Sequence, residues 1–340
     1  MSGRALVVRE PGDVALVSQA DPEPGPGEIL VRPDLVGLCG TDLEIIDGQV
    51  DPVYVRYPLA LGHEWTGIVT GDSPLAGSRV VVEGIVPCGH CERCAAGETN
   101  LCRTYDEFGF TRDGAAASLV AVPASQAHRL DPAVGAEDAV LAEPAAVVYQ
   151  ALVRAAARPG ALAPGSRVLV VGDGTIALLA VRLARLWSPG EVVLAGRRAA
   201  QADLAELAGA SQFLLDNDLA GAGYDLVLEA AGTVAAATAA LGAARRGGTV
   251  VLIGLPPHGQ TAPLAVDDVV NNDLAILGSF SYSAAAWRGV VRLLSTRLLR
   301  PSFVVTHSFA LAEWERAIAR LRDGGGTEPR GKVLLRIGDG

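Results

Sequence analysis

Residues 167–187 read RVLVVGDGTIALLAVRLARLW. A run of aliphatic and β-branched residues ends in Gly172-x-Gly174-x-x-Ala177, and an Ala/Leu-rich helical stretch follows at once. Gly172 permits the tight turn, Gly174 lets the backbone approach a pyrophosphate, and the third position needs only a small residue for helix–strand packing, which Ala177 supplies. The helix that opens at Thr175 and Ile176 then presents its first amides, and the positive end of its dipole, to the phosphates. The alternation continues outward. EVVLAGRR precedes AAQADLAELAGA, YDLVLEAAG precedes TVAAATAALGAARR, and GTVVLIGL follows. Strand–helix units repeated in this way predict an α/β domain over residues 144–300, a doubly wound parallel sheet of the Rossmann type with helices on both faces.

The end of the second predicted strand bears on which dinucleotide fits. NAD enzymes usually place a carboxylate there for the ribose 2′-hydroxyl. This chain has Gly196, Arg197 and Arg198 instead. A guanidinium pairs with a 2′-phosphate, so NADP is expected to be accepted, with or without NAD. The plainer reading is a solvated basic loop.

The N-terminal part has a different character. ALVVRE, EILVRPDLVGL, WTGIVTG and SRVVVEGIV are short β runs, and DPEPGPGE is a turn-rich connector, which predicts a compact β domain over residues 1–143. The tail, VTHSFALAEWERAIARLRDGGGTEPRGKVLLRI, supplies one amphipathic helix and a last strand. Residues 301–340 are expected to complete the β domain.

The stretch VPCGHCERCAAGETNLC, residues 86–102, holds four of the five cysteines. Net charge is −10 and the isoelectric point near 5.0, which argues against nucleic acid or an anionic membrane as the main partner. No run of eighteen apolar residues and no signal-like N-terminus is found, so a cytoplasmic chain is expected. In a reducing compartment disulfides are disfavoured. Cys88, Cys91, Cys94 and Cys102 follow C-x2-C-x2-C-x7-C, a spacing that lets four thiolates converge on one tetrahedral zinc, with Gly89 and Gly97 freeing the backbone between them. A closed four-sulfur site has no open position, so this zinc is expected to be structural. A redox relay, stray disulfides and an iron–sulfur cluster are the competing readings, and nothing else in the chain suggests electron transfer.

The fifth cysteine stands in GLCGTDLEIIDG, upstream of YPLALGHEWTGIV and AVLAEPAAVVYQAL. A catalytic zinc needs nitrogen, sulfur or carboxylate donors and one place left open for substrate. Cys39, His63 and Glu143 are the candidate donors, with Glu64 as a fourth. Each has a plainer alternative: a small buried hydrophobe, a satisfied turn histidine, a helix-start charge.

C-G-T-D at 39–42, G-H-E at 62–64, the four-cysteine lobe at 88–102, E-P at 143–144 and the Gly172 turn occur together and in order. In this the whole chain resembles the zinc-dependent medium-chain dehydrogenases, the alcohol and polyol dehydrogenase superfamily. The resemblance implies a GroES-like β catalytic domain beside the Rossmann domain, and two zinc ions per chain. It implies that Cys39, His63 and the Glu143 position serve the catalytic zinc, with Glu64 nearby and sometimes coordinating. It makes Thr41 the hydroxyl that takes the alcohol proton. Many relatives carry histidine where this chain has Glu44, which here becomes the outer member of the proton relay. Glu44, with the GRR loop, resembles the family's glucose dehydrogenases and shifts the expectation to polyhydroxylated rings. Overall similarity, with no single motif behind it, points further to the branch that oxidises the aminocyclitol 2-deoxy-scyllo-inosamine to a ketone in aminoglycoside antibiotic biosynthesis. A glucose, polyol or threonine type of dehydrogenase is the alternative, and a nucleotide-binding protein with structural zinc alone is the remote one. Tyr57, Phe108, Ser281 and Tyr282 are expected near substrate, with Glu44, Glu64 or Asp106 facing any amino group. Relatives form dimers or tetramers, so a homo-oligomer is expected.

Overall fold

The alternation that follows residue 167 forms one six-stranded sheet in the computed structural model, which describes residues 2–215, 219, 223–323 and 328–338. Its strands run in the order Gln212–Leu215, Glu191–Gly196, Arg167–Val171, Tyr224–Glu229, Ala244–Leu252, Ala275–Gly278. Every neighbouring pair is parallel. Val168 to Val171 are all buried, which explains why this strand is a continuous apolar run: a parallel sheet covered on both faces leaves no polar side. The first strand lies between the second and the fourth in sequence, so the strand order reverses at its end, where the Gly172 turn leaves the sheet.

The other unit is built on a seven-stranded sheet. Ala127–Arg129, Arg79–Val82, Glu64–Thr70, Glu28–Leu38, Lys332–Arg336 and Val305–Ala310 lie side by side, and Val120–Pro123 pairs with Glu28–Leu38 as well. The chain's last strand therefore sits centrally, antiparallel to Glu28–Leu38 and parallel to Val305–Ala310. A smaller sheet of Asp13–Ala20, Ser2–Glu10 and Leu59–Ala60 packs into the same core, where Leu6, Val8, Val36, Leu38, Leu61 and Trp65 are buried.

The division between the units differs from the expected one in two places. One unit runs to Glu143 and resumes at Ser283, and the other begins at Pro144 and runs to Tyr282. Residues 283–300 were expected to end the parallel-sheet domain and instead belong with the N-terminal unit. The helix Ala284–Ser295 explains why: its Ala284 amide donates to Thr99 Oγ1 at 2.9 Å, and its buried Trp287 lies 6.1 Å from the His128 ring. The stretch around Arg330 goes with the parallel-sheet unit, because the Gln201 side chain makes two hydrogen bonds to the Arg330 backbone. Among the described residues no helix is long and apolar enough to cross a membrane.

Candidate active site and metal centres

The four-cysteine lobe brings its sulfurs together. Sγ separations are 3.9 Å for Cys88–Cys94, 3.5 Å for Cys91–Cys94 and 3.8 Å for Cys91–Cys102. Sulfurs about 2.3 Å from one tetrahedral ion stand about 3.8 Å apart, whereas a disulfide would bring two of them to about 2.05 Å. All five cysteines are free. The backbone amides of His90 and Cys91 hold the Cys88 thiol down to about 5, while burial and the neighbouring sulfurs push Cys94 up to about 12. Four sulfurs this close form a donor set that fits a closed zinc site, whose charge would draw each thiol to the thiolate.

A second group forms where two strand ends meet. Cys39 follows the strand Glu28–Leu38 and caps the helix Gly40–Ile46, its Sγ accepting from the Thr41 amide at 3.3 Å. Glu64 opens the strand Glu64–Thr70 and stands opposite Gly37 in the register. Cys39 Sγ lies 3.2 Å from His63 Nε2, and Glu64 Oε1 lies 4.0 Å from the same nitrogen. These three donors fall within one sphere of ligation, and Glu143 does not join them. His63 and Glu64 are buried. Burial works against charge on His63, yet the Cys39 and Asp42 charges outweigh it and hold the imidazole well above its ordinary range. The pocket thus favours positive charge, as the donor chemistry of a metal site requires.

Around this group stand residues that sequence reading passed over. Asp42 is 1% exposed. One of its oxygens accepts from the Cys39 amide at 2.9 Å and the other lies 3.5 Å from His63 Nδ1, the usual place of an outer carboxylate that orients a ligating histidine. Its signal was the three-residue step from Cys39, which makes a capping box at the helix start. Lys332 is buried with Nζ 2.7 and 2.5 Å from the two Glu64 oxygens. Glu143 and Glu107 are partly exposed. Burial, reinforced by the Glu64 charge, raises Glu143 to about 8, and burial raises Glu107 to about 7. Thr41 and Glu44 lie on the helix Gly40–Ile46, both half-buried, and burial raises the Glu44 carboxyl.

Several expected substrate contacts are placed elsewhere. Phe108 and Tyr282 are each 1% exposed and act as packing residues. Tyr57 spends its hydroxyl on the Ile45 carbonyl at 2.5 Å. Asp106 pairs with Arg56 at 3.4 Å on the surface. Tyr57, Asp106 and Ser281 are partly exposed. Each aromatic lies in a loop-like stretch of sequence, and burial, which the sequence does not display, decides its role.

In the parallel-sheet unit, Gly172 has φ +120°, and a Cβ there would meet the Ala230 carbonyl carbon at 2.9 Å. Only glycine takes that turn. Gly174 caps the helix Thr175–Ala184, and a Cβ added to it meets no protein atom within 4 Å. The space in front of it is open, which fits the close approach of a pyrophosphate. Gly196 is required for another reason, since a Cβ there would strike Asp173 Cβ at 2.4 Å. Asp173 fills the place an acidic strand-end residue would otherwise take. Its Oδ2 accepts from the Arg197 and Arg198 amides at 2.9 and 3.0 Å, and its Oδ1 pairs with the Arg198 guanidinium at 2.5 Å. Arg198 is thereby engaged, while Arg197 stays exposed with no side-chain partner among the described residues.

Comparison with known proteins gives the family of the chain. Residues 25–132 match the alcohol dehydrogenase GroES-like domain, and residues 175–296 match the zinc-binding dehydrogenase domain. The chain is 31% identical to sorbitol dehydrogenase of Gallus gallus, over 98% of this chain and 96% of the relative. It is 30% identical to L-threonine 3-dehydrogenase of Burkholderia thailandensis, over 98% of each. Among solved structures it is similar to a zinc-binding dehydrogenase of Sinorhizobium meliloti 1021 bound to NADP, with a TM-score of 0.90 and 30% identity, covering 99% of this chain and all of that one. A phosphate-ready glycine turn, metal donor sets and full-length similarity converge on one conclusion: the chain belongs to the zinc-dependent medium-chain dehydrogenases and is an NAD(P)-dependent alcohol dehydrogenase.

Proposed function

We propose that the enzyme oxidises a secondary hydroxyl of a polyhydroxylated or amino-alcohol small molecule to a ketone, using one catalytic and one structural zinc per chain. The observation that carries this is the meeting of Cys39, His63 and Glu64 beside Thr41, and full-length relatives named for sorbitol and L-threonine support the substrate class. When bound, zinc supplies Lewis acidity and the nicotinamide a hydride acceptor. The chain's residues hold, orient and take protons. Asp42 fixes the Cys39 amide and faces His63 Nδ1, leaving Nε2 toward Cys39. Glu64, not Glu143, is the third donor. Thr41 takes the substrate's hydroxyl proton. Glu44, three residues on along the same helix face, passes it toward solvent, and its burial-raised affinity suits it to accept.

One observation favours an amino alcohol within this class. Glu107 and Glu143 are partly exposed carboxyls with no hydrogen-bond partner among the described residues. A substrate amine would be a suitable partner for either. L-threonine and an aminocyclitol such as 2-deoxy-scyllo-inosamine both carry an amine beside a secondary hydroxyl. Initial rates with sorbitol, glucose, L-threonine, 2-deoxy-scyllo-inosamine and ethanol, each with NAD+ and NADP+, test the class. Turnover of at least one polyol or amino alcohol is expected to exceed that of ethanol by about 100-fold in kcat/KM, roughly 3 kcal/mol of discrimination. Ethanol as the best substrate would sink the reading.

For the cofactor, Arg197 is the guanidinium left for a 2′-phosphate and Arg198 shapes the turn. Arg197→Ala is expected to lower kcat/KM for NADP+ about tenfold while changing that for NAD+ less than about twofold, a loss of roughly 1.4 kcal/mol. Equal effects on both cofactors would contradict it.

The reading of a homo-oligomer in a reducing cytoplasm is supported by two features. The sheet ends in the edge strand Ala275–Gly278, with Leu255, Leu264, Val266, Val270 and Phe280 exposed around it in sequence, a surface suited to a second copy of this chain. The thiols are all unpaired.

A further inference from the structure

The strand Glu191–Gly196 carries no carboxylate at its end, yet one stands there. A Cβ built on Gly196 would come within 2.4 Å of Asp173 Cβ, 2.8 Å of its Cγ and 2.7 Å of its Oδ2. Asp173, the middle residue of the Gly172–Gly174 turn, therefore takes the volume that a strand-end side chain would use. The register brings the two together. Val171 pairs with Ala195, and the Gly172 amide donates to the Ala195 carbonyl at 2.8 Å.

The carboxylate is fixed without being used up. Its Oδ2 accepts from the Arg197 and Arg198 amides, and its Oδ1 from the Arg198 guanidinium. The Gln201 side chain donates to the Asp173 carbonyl and to that of Arg330, which pins the backbone beneath it. A carboxylate offers about four acceptor positions, and the three bonds leave one. The side chain keeps 12% of its surface exposed, and the next residue, Gly174, has no protein atom in front of it. A held acceptor thus stands beside the open space of the glycine turn.

We propose that Asp173 reads the adenosine ribose, accepting a hydrogen bond from its 2′-hydroxyl in place of a strand-end acid, and that Arg198 is the positioning residue that holds it there. The proposal rests on the adenosine half of the dinucleotide lying at this turn. Two residues then read two cofactors. NAD is held through the Asp173 oxygen. NADP carries a phosphate on the same carbon, which Asp173 repels and Arg197 attracts. Because Arg198 already offsets the Asp173 charge, the loop keeps one guanidinium in excess and admits the phosphate.

AMP and 2′-deoxy-AMP differ only in that hydroxyl, and each can be titrated against the fluorescence of NADPH bound to the whole protein. Wild type is expected to bind AMP about tenfold more tightly than 2′-deoxy-AMP, and Asp173→Ala to bind the two within about twofold of each other. Direct titration of the same variant should show NADH weakened about tenfold. NADPH should hold or tighten by up to about tenfold, because Arg198, whose buried Nε has no hydrogen-bond partner among the described residues, is released toward the phosphate. Asp173→Asn keeps the size and an oxygen for the two amides, and it should retain an AMP preference of about threefold even if alanine loosens the turn. A residue that merely shapes the turn would weaken NADH and NADPH alike and leave the AMP preference intact. Either result overturns the proposal, as does a wild type that binds AMP and 2′-deoxy-AMP equally. A wild type that binds neither NADH nor NADPH would instead sink the placing of the dinucleotide at Gly172.

Discussion

Serine in place of Cys39 is expected to abolish turnover and leave the fold intact. The sulfur has two duties that serine divides. As a metal donor it supplies thiolate charge, which a neutral hydroxyl does not, so zinc content should fall from about two ions per chain to about one. As the N-cap of the helix Gly40–Ile46 it accepts from the Thr41 amide, and serine is among the best residues for that position. The Asp42 half of the capping box, which accepts from the residue 39 amide, is untouched. The melting temperature should therefore hold within a few degrees, apart from the stability that the lost ion contributes. Loss of several kcal/mol of transition-state stabilisation corresponds to a fall in kcat/KM of at least about 10³-fold. Cys39→Ala should lose the same activity and, in addition, roughly 1 kcal/mol of helix capping. Metal analysis, circular dichroism and rates on one preparation check all three points. Undiminished turnover would remove Cys39 from the catalytic centre, and with it the donor set on which the proposed chemistry stands.

What could be read beforehand was whatever the chain writes locally. The four-sulfur lobe spans fifteen residues, 88 to 102, and the glycine turn is continuous with its own strand and helix, so spacing alone carried both. The Gly196–Arg198 loop was legible as basic. Its division of labour was not, because Asp173, which engages Arg198, lies 25 positions upstream. The sequence offered Cys39, His63, Glu64 and Glu143 only as candidate donors, and which of them lie together depends on the strand register that sets Glu64 opposite Gly37. Lys332 is the extreme case. Only the pairing of the last strand with Glu28–Leu38 brings it to Glu64. Phe108 and Tyr282, expected near substrate, are buried, for the complementary reason: a large aromatic in a loop-like stretch is as ready to fill a core as to line a site.

Cys91→Ser is expected to fail differently, by loss of structure first and activity second. The lobe has almost no apolar interior. Its helix, Glu92–Ala95, is four residues long and buries none of them, and between Cys88 and Cys102 only Asn100 and Cys102 are buried. A single turn of helix is not stable by itself, so a bound ion takes the place of a core, and metal binding there is coupled to folding. Three sulfurs and a hydroxyl hold zinc far more weakly than four thiolates. Hydrogen exchange across residues 88–102 should accelerate by about 10³-fold, the loss of roughly 4 kcal/mol of local protection. The effect should not stop at the lobe. Its base is the ribbon of Ile85–Val86 with Asp106–Glu107, and Phe108, directly after it, is buried in the core that also packs Phe110, whose ring lies 5.2 Å from His63. Loosening the ribbon displaces Glu107 and the wall beside the catalytic histidine, so kcat/KM should fall about tenfold although Cys39, His63 and Glu64 are all present. The two serine variants thus make opposite patterns. Cys39→Ser keeps the exchange protection of residues 88–102 and loses nearly all turnover, whereas Cys91→Ser loses that protection and keeps a measurable fraction of turnover. A Cys91→Ser protein with wild-type exchange across the lobe would mean that the fold there is held by its side-chain contacts, and that the four sulfurs converge without an ion to bind.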